Sequence, residues 1–218
     1  MSGAVPVLFG AAYSVYVRIC RLVLAEKGVA CRLEEVDVHA PGGVPASHLA
    51  RHPFGRIPAF EHDGFTLYET GAISRYVDEA FAGPALQPPA DAPQARARMA
   101  QAISILDSYA YPHWVWGLFV ERVRKPVRGQ QPDEARVSTS RAAGETCADA
   151  LAAILGPAPW LGGTAPGLAD LHAAPMLACL AMTAEGRAML AARPPLAAWW
   201  ERLRQRPSMA ATRAITDD

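Results

Sequence analysis

The sequence predicts a small α/β domain followed by an all-α helical domain. Three observations carry that expectation. Short apolar runs closed by turn residues alternate with helical periodicity up to about Ala82. A proline-dense stretch, Gly83–Pro93, then holds four prolines in eleven residues. Beyond it only helical periodicity is present, in Gln94–Trp116, Val137–Leu155, Leu168–Met182 and Pro195–Arg206. The expected boundaries are 1–82 for the first domain, 83–93 for the linker and 94–218 for the helical domain.

The first strand is read from Val5–Gly10, an apolar run ended by glycine. A helix follows over Ser14–Lys27, with Ile19, Leu22 and Val23 on one face and Gly28 as its stop. Cys31–Val38 reads as a second strand, and the intervening crossover helix makes the two parallel. His39–Ser47, with Pro41, Gly42, Gly43 and Pro45, is a loop. Ile57–Glu61 and Phe65–Tyr68 flank Asp63-Gly64, a strong hairpin signal. Thr70 is placed to N-cap a helix through Ala82, with Ile73, Val77 and Phe81 facing the core.

Composition narrows the function. With 21 basic and 21 acidic residues the net charge is zero, which argues against nonspecific nucleic-acid or anionic-membrane binding. Hydrophobic residues at 51% argue against a disordered chain. The longest apolar run, Ala173–Ala184, falls far short of the ~20 residues of a membrane span. The first cation is Arg18, so a secretory signal is not expected. Cys20, Cys31, Cys147 and Cys179 form no C-x-x-C and no metal spacing; they read as reduced thiols of a cytoplasmic protein, and no metal is expected.

His52-Pro-Phe-Gly-Arg-Ile-Pro-Ala-Phe60, then Asp63-Gly64, then Leu67-Tyr-Glu-Thr-Gly-Ala-Ile73 resembles the glutathione-binding half of the cytosolic glutathione S-transferase family, in its phi-like and general bacterial members. Phe9-Gly-Ala-Ala-Tyr-Ser14 is similar to that family's first strand-to-helix loop, and Leu168-Ala-Asp170 and Pro195–Ser208 echo its second half. The resemblance implies a thioredoxin-like first domain, a homodimer, glutathione as co-substrate and a small apolar electrophile as second substrate. It also implies a cis bond at Ile57-Pro58.

On this reading Ile57 and Pro58 offer main chain to an extended tripeptide. Glu69 accepts from the γ-glutamyl ammonium, and Thr70, at a helix N-terminus, meets the γ-glutamyl carboxylate. The cation usual for the glycyl carboxylate is missing from Gly42-Gly43-Val44. Arg56 is the best-placed substitute, with His39, His48 and His52 as alternatives. Catalysis needs the thiolate, and Ser14, at the expected helix start, is the first candidate to stabilise it. Tyr13 and Tyr16 are the alternatives. No cysteine lies in this loop, which argues against a mixed disulfide with glutathione.

Asp107–Phe119 is the most aromatic stretch. The resemblance implies that this helix borders the electrophile pocket, so Tyr109, Tyr111, His113 and Trp114, together with Tyr13, are its expected walls, and Pro112 is expected to kink the helix. Arg122, Arg124, Lys125 and Arg128 read as a solvated helix end. Gly167-Leu-Ala-Asp170 has capping-box spacing without the hydroxyl, so Gly167→Ser is expected to stabilise. The same fold also admits a non-catalytic glutathione- or ligand-binding module acting through a partner protein, or an isomerase, dehalogenase or peroxidase.

Overall fold

In a computed structural model that describes residues 4–213, the chain forms two units. One runs through Ala85 and takes up the segment from Pro207; the other is Leu86–Arg206.

The first unit is built on a four-stranded mixed sheet of order β2-β1-β3-β4. Its strands are β1 (Val7–Phe9), β2 (Arg32–Glu34), β3 (Ala59–His62) and β4 (Phe65–Tyr68). β1 and β2 are parallel, as the crossover helix requires, and β3 is antiparallel to both β1 and β4. The β3–β4 turn uses positive φ at Asp63 (49°) and Gly64 (77°), the conformation that an Asp-Gly hairpin supplies. The helices are α1 (Val15–Glu26), the single turn α2 (Ala46–Leu49) and α3 (Thr70–Ala80). α1 and α3 pack together, and Leu8 and Phe60 of the sheet are fully buried with Ile19, Leu22, Val23, Ile73 and Val77. At roughly 1.5–3 kcal/mol for each fully buried large side chain, this cluster is the main source of the unit's stability.

The buried Lys27 ends α1 by donating to Asp78 Oδ1 at 3.1 Å and to the carbonyls of Asp78 and Pro84 at 3.0 Å. The segment after Pro207, α10 (Pro207–Ala211) once the helices of the second unit are numbered, packs on α1. There Arg18 donates to Met209 O and Arg21 to Thr212 O, each at 3.3 Å, and Ser208 Oγ donates to Glu26 Oε1.

The second unit begins with α4 (Pro93–Ile105), which runs directly into a π-type segment, Leu106–Arg124, and the short α5 (Lys125–Val127). The helix therefore continues past Trp116. Pro112 has no N–H and its ring crowds the preceding turn; the widened winding absorbs it without a break. α6 (Glu134–Leu155), α7 (Leu168–Ala181), α8 (Ala184–Ala191) and α9 (Pro194–Arg204) complete the unit. α7 is apolar nearly all round and lies in the core. Gly117 lets α6 approach closely, since a Cβ there would stand 1.9 Å from Ser140 Oγ. The expected solvated helix end is only part of the picture at Arg122, which is bonded to Glu134 and Glu185 at 2.6–2.9 Å.

The N-terminus of α7 reverses the expectation for Gly167. Asp170 Oδ2 accepts from Gly167 N at 2.8 Å, so the carboxylate half of the capping box is in place. A Cβ on Gly167, however, would stand 2.9 Å from the Leu86 carbonyl oxygen, which also accepts from Leu168 N at 2.8 Å. The obstacle is backbone and cannot swing away. Gly167→Ser should therefore destabilise the protein by about 1–2 kcal/mol, the cost of forcing a shift in packed structure. A thermal midpoint equal to or above that of the parent would refute this.

Candidate active site

Ser14 is the N-cap of α1, with extended backbone (φ −74°, ψ 128°). Its Oγ accepts from Val17 N at 3.4 Å, a long bond that leaves the hydroxyl proton free to turn toward a ligand. Gly10 sets its position: a Cβ at Gly10 would meet Val17 Cγ2 at 2.4 Å and Ile57 Cβ at 3.3 Å. Only glycine lets the end of β1, the start of α1 and Ile57 come this close. Tyr13 is exposed, and its hydroxyl donates to Asp37 Oδ1 at 2.8 Å. Asp37 also accepts from His39 N at 2.9 Å; the His39 amide first, and Tyr13 second, hold this exposed carboxyl below its ordinary range. Tyr16 lies on the first turn of α1, half-buried.

The Ile57-Pro58 bond is cis. The β3 ladder begins at Ala59, so the main chain of Ile57 lies outside it. Glu69 has φ 73° and ψ 117°, a conformation side chains rarely adopt, and is itself the N-cap of α3. Thr70 is therefore the first helical residue and not the N-cap, so the helix begins one place earlier than expected. The first α3 bond runs from Ile73 N to Glu69 O, so the amides of Thr70, Gly71 and Ala72 have no acceptor within the helix. The Thr70 side chain is buried, and its hydroxyl lies against the Cys20 thiol. Burial pushes that thiol far up, so Cys20 is an inert core residue.

Arg56 and Glu69, with Phe54, line an open cleft of about 360 Å³ in the first unit. Opposite charges on two sides of one small cleft match a zwitterionic ligand. Phe54 is 70% exposed and carried no signal in the sequence beyond being a large apolar residue between Pro53 and Gly55. The histidines behave differently from solvated loop residues. His48 and His52 are buried, at 1% and 2% exposure, whereas His39 is exposed. His48 Nε2 bonds to Arg56 O at 2.7 Å. The His52 ring lies 4.8 Å from that of Tyr68 and 6.2 Å from Phe54. Burial depresses the His52 pKa, against the pull of Glu69, so its ring is held neutral. Of the four candidates for the glycyl carboxylate, Arg56 and His39 are exposed, and Arg56 is the one that carries a fixed positive charge.

Of the aromatic residues expected at the second substrate, Tyr13 belongs to the first unit and the others to the second. Tyr109 is 60% exposed; Tyr111 and His113 are half-buried, with His113 Nδ1 3.4 Å from Ser140 Oγ. Trp114 is enclosed in the core, its Nε1 donating to Gly144 O at 3.2 Å.

The family profile for the glutathione S-transferase N-terminal domain matches residues 8–85, and that for the C-terminal domain matches residues 91–207. The chain belongs to the glutathione S-transferase family. It is 29% identical over 201 residues to a glutathione S-transferase of Hyoscyamus muticus, covering 92% of this chain and 94% of that protein. Among solved structures, glutathione transferase F7 from Populus trichocarpa superposes with a TM-score of 0.84 at 28% identity, over 95% of this chain and 97% of that one. Glutathione S-transferase III in its apo form gives 0.84 at 30% identity, over 96% and 95%. These plant relatives fit the phi-like wording of the His52–Ile73 block, and the mixed sheet and helical second unit are the architecture that family has.

Proposed function

We propose that this transferase-family protein joins the thiolate of glutathione to the electrophilic carbon of a largely apolar small molecule. The observation that carries the reading is the Phe54–Arg56–Glu69 cleft at the N-terminus of α3, close in the chain to Ile57. Glu69 receives the γ-glutamyl ammonium, and the free amides at the start of α3, beginning with Thr70, receive the γ-glutamyl carboxylate. Ile57 and Pro58 take the cysteinyl main chain, and Arg56 the glycyl carboxylate. Ser14 donates to sulfur. Tyr13 serves Asp37, which favours Ser14 as the donor. Tyr13 in the first unit, and Tyr109, Tyr111 and His113 in the second, are polar-tipped aromatics of the kind an apolar electrophile would meet; Trp114, bonded to Gly144 O, is a core residue of the second unit. Conjugation is preferred to isomerase, dehalogenase, peroxidase or carrier roles because the relatives bear transferase names. The decisive assay mixes protein, glutathione and an aryl halide. No conjugate above the uncatalysed rate removes the reading.

Two mutations test the tripeptide site. Glu69→Ala should weaken glutathione binding by about 1–2 kcal/mol through loss of a charge-assisted contact. Thr70→Ala should weaken it less, because the amide survives, while lowering stability through the lost Cys20 contact. Calorimetry showing parental affinity in both variants refutes the assignment.

A detoxifying role, a cytoplasmic location and a homodimer complete the proposal. Four free cysteines suit a reducing compartment, and among the described residues no helix is long and apolar enough to cross a membrane. Light scattering at micromolar concentration should give twice the chain mass of 23.3 kDa; a 23.3 kDa particle refutes the dimer.

A further inference from the structure

We propose that His48 is a positioning residue for glutathione: its ring aims the Ile57 amide at the ligand. The inference rests on the reading that Ile57 offers its main chain to the tripeptide. His48 Nε2 lies 2.7 Å from the Arg56 carbonyl oxygen. An oxygen acceptor requires a proton on Nε2, so this nitrogen is the donor. The Arg56 carbonyl and the Ile57 N–H belong to one peptide group, which is planar and trans, so the two point in opposite directions. Anchoring the carbonyl on one side therefore sets the direction of the Ile57 N–H on the other. No other side chain among the described residues is seen bonded to this carbonyl.

The anchor is itself held firmly. His48 N donates to Pro45 O at 2.9 Å, and His48 O accepts from Arg51 N and His52 N at 2.9 and 2.8 Å. Its ring packs 6.2 Å from that of His52, which in turn stacks on Tyr68 of β4. The orientation of the Arg56–Ile57 peptide is thus referred back to the sheet. The second ring nitrogen argues that the bond is what the ring contributes. His48 Nδ1 is buried with no hydrogen-bond partner among the described residues. Burying an unpaired polar nitrogen is unfavourable, and an apolar side chain of like size would avoid it. Histidine at this position is explained by its Nε2–H donor. The side chains of Arg56 and Glu69 line the cleft just beyond, so a rotation of this peptide would also disturb the Arg56 side chain.

The test compares three substitutions in the full chain. His48→Leu fills the space without a donor. His48→Gln places an amide NH₂ near the Nε2 position and within reach of the carbonyl. His48→Asn has an amide too short to reach it. Glutathione dissociation constants come from calorimetry and KM and kcat from aryl-halide turnover, at a temperature where circular dichroism shows each variant folded. His48→Leu and His48→Asn should raise both Kd and KM about five- to twentyfold. Their kcat at saturating glutathione should stay within about twofold, since the group acting on sulfur is Ser14. His48→Gln should restore Kd and KM to within about twofold of the parent. Should His48→Leu fail to fold, the Gln–Asn comparison carries the same test. Parental Kd in all variants, equal losses in Gln and Asn, or a fall confined to kcat overturns the proposal while the glutathione site stands. A parent protein that binds no glutathione removes the site and this proposal together.

Discussion

Ser14→Ala should lower aryl-halide turnover by about ten- to a hundredfold at neutral pH while leaving glutathione affinity within a few-fold. A free thiol has a pKa of ~8.5, so little thiolate is present at neutrality without help. Lowering that pKa by ~2 units takes ~2.7 kcal/mol of preference for the anion. One charge-assisted hydrogen bond and the N-terminus of a twelve-residue helix supply about that much. Ser14 unites the two, because it caps α1 and keeps its proton free for a ligand. The affinity survives because the main tripeptide contacts lie at Arg56, Ile57, Glu69 and Thr70. The sign of the pH effect is a further check. Removing the hydroxyl raises the pKa of bound glutathione by about 1–2 units, so activity lost at neutrality should partly return as pH rises through the new value. Thiolate absorbance of the complex, titrated in Ser14→Ala, Tyr13→Phe and Tyr16→Phe, identifies the donor. A titration that moves only in a tyrosine variant reduces Ser14 to a helix cap.

The elements that the sequence made legible are those whose signal is local. Leu8, Ile19, Leu22 and Ile73 sit at positions that periodicity alone assigns to the core, and they are fully buried. Asp63-Gly64 announces a turn with positive φ at both residues, and the backbone adopts it. Features that depend on distant partners left no such signal. Glu69 looks like an ordinary residue before a cap; only the packed strand and helix force it to φ 73°. His48 and His52 stand in a proline- and glycine-rich region that reads as solvated. They are buried because Tyr68 and the Arg56 carbonyl come from elsewhere in the unit. The segment from Pro207 reads as one more piece of the helical run. It joins α1 through side-chain-to-carbonyl bonds from Arg18 and Arg21, each spanning 191 residues. Gly167 is the sharpest case, since its sequence context favours serine and its neighbour, the Leu86 carbonyl, forbids it.

Asp170→Ala should cost about 3–5 kcal/mol, the largest loss of stability expected from any single change discussed above. The side chain is fully buried, on the first turn of α7. Its Oδ1 accepts from Leu161 N and from Trp199 Nε1, both at 2.8 Å, and its Oδ2 accepts from Gly167 N at 2.8 Å. One carboxylate thus ties together the loop before α7, the start of α7 and the core tryptophan of α9. Alanine would leave three buried N–H donors without their acceptor, in a space that water reaches poorly. Each such donor costs about 1–3 kcal/mol, and partial relaxation keeps the sum below the simple total. For a chain of this size the thermal midpoint should fall by roughly 10–15 °C. Asp170→Asn separates charge and bonding from volume. Its carbonyl oxygen can retain the Leu161 and Trp199 donors, but its NH₂ then faces the Gly167 N–H, so about half of the loss should remain. Turnover per folded molecule at low temperature should match the parent in both variants, because none of the three donors belongs to the glutathione cleft. A midpoint unchanged in Asp170→Ala would mean that this buried network does not hold the helical unit together.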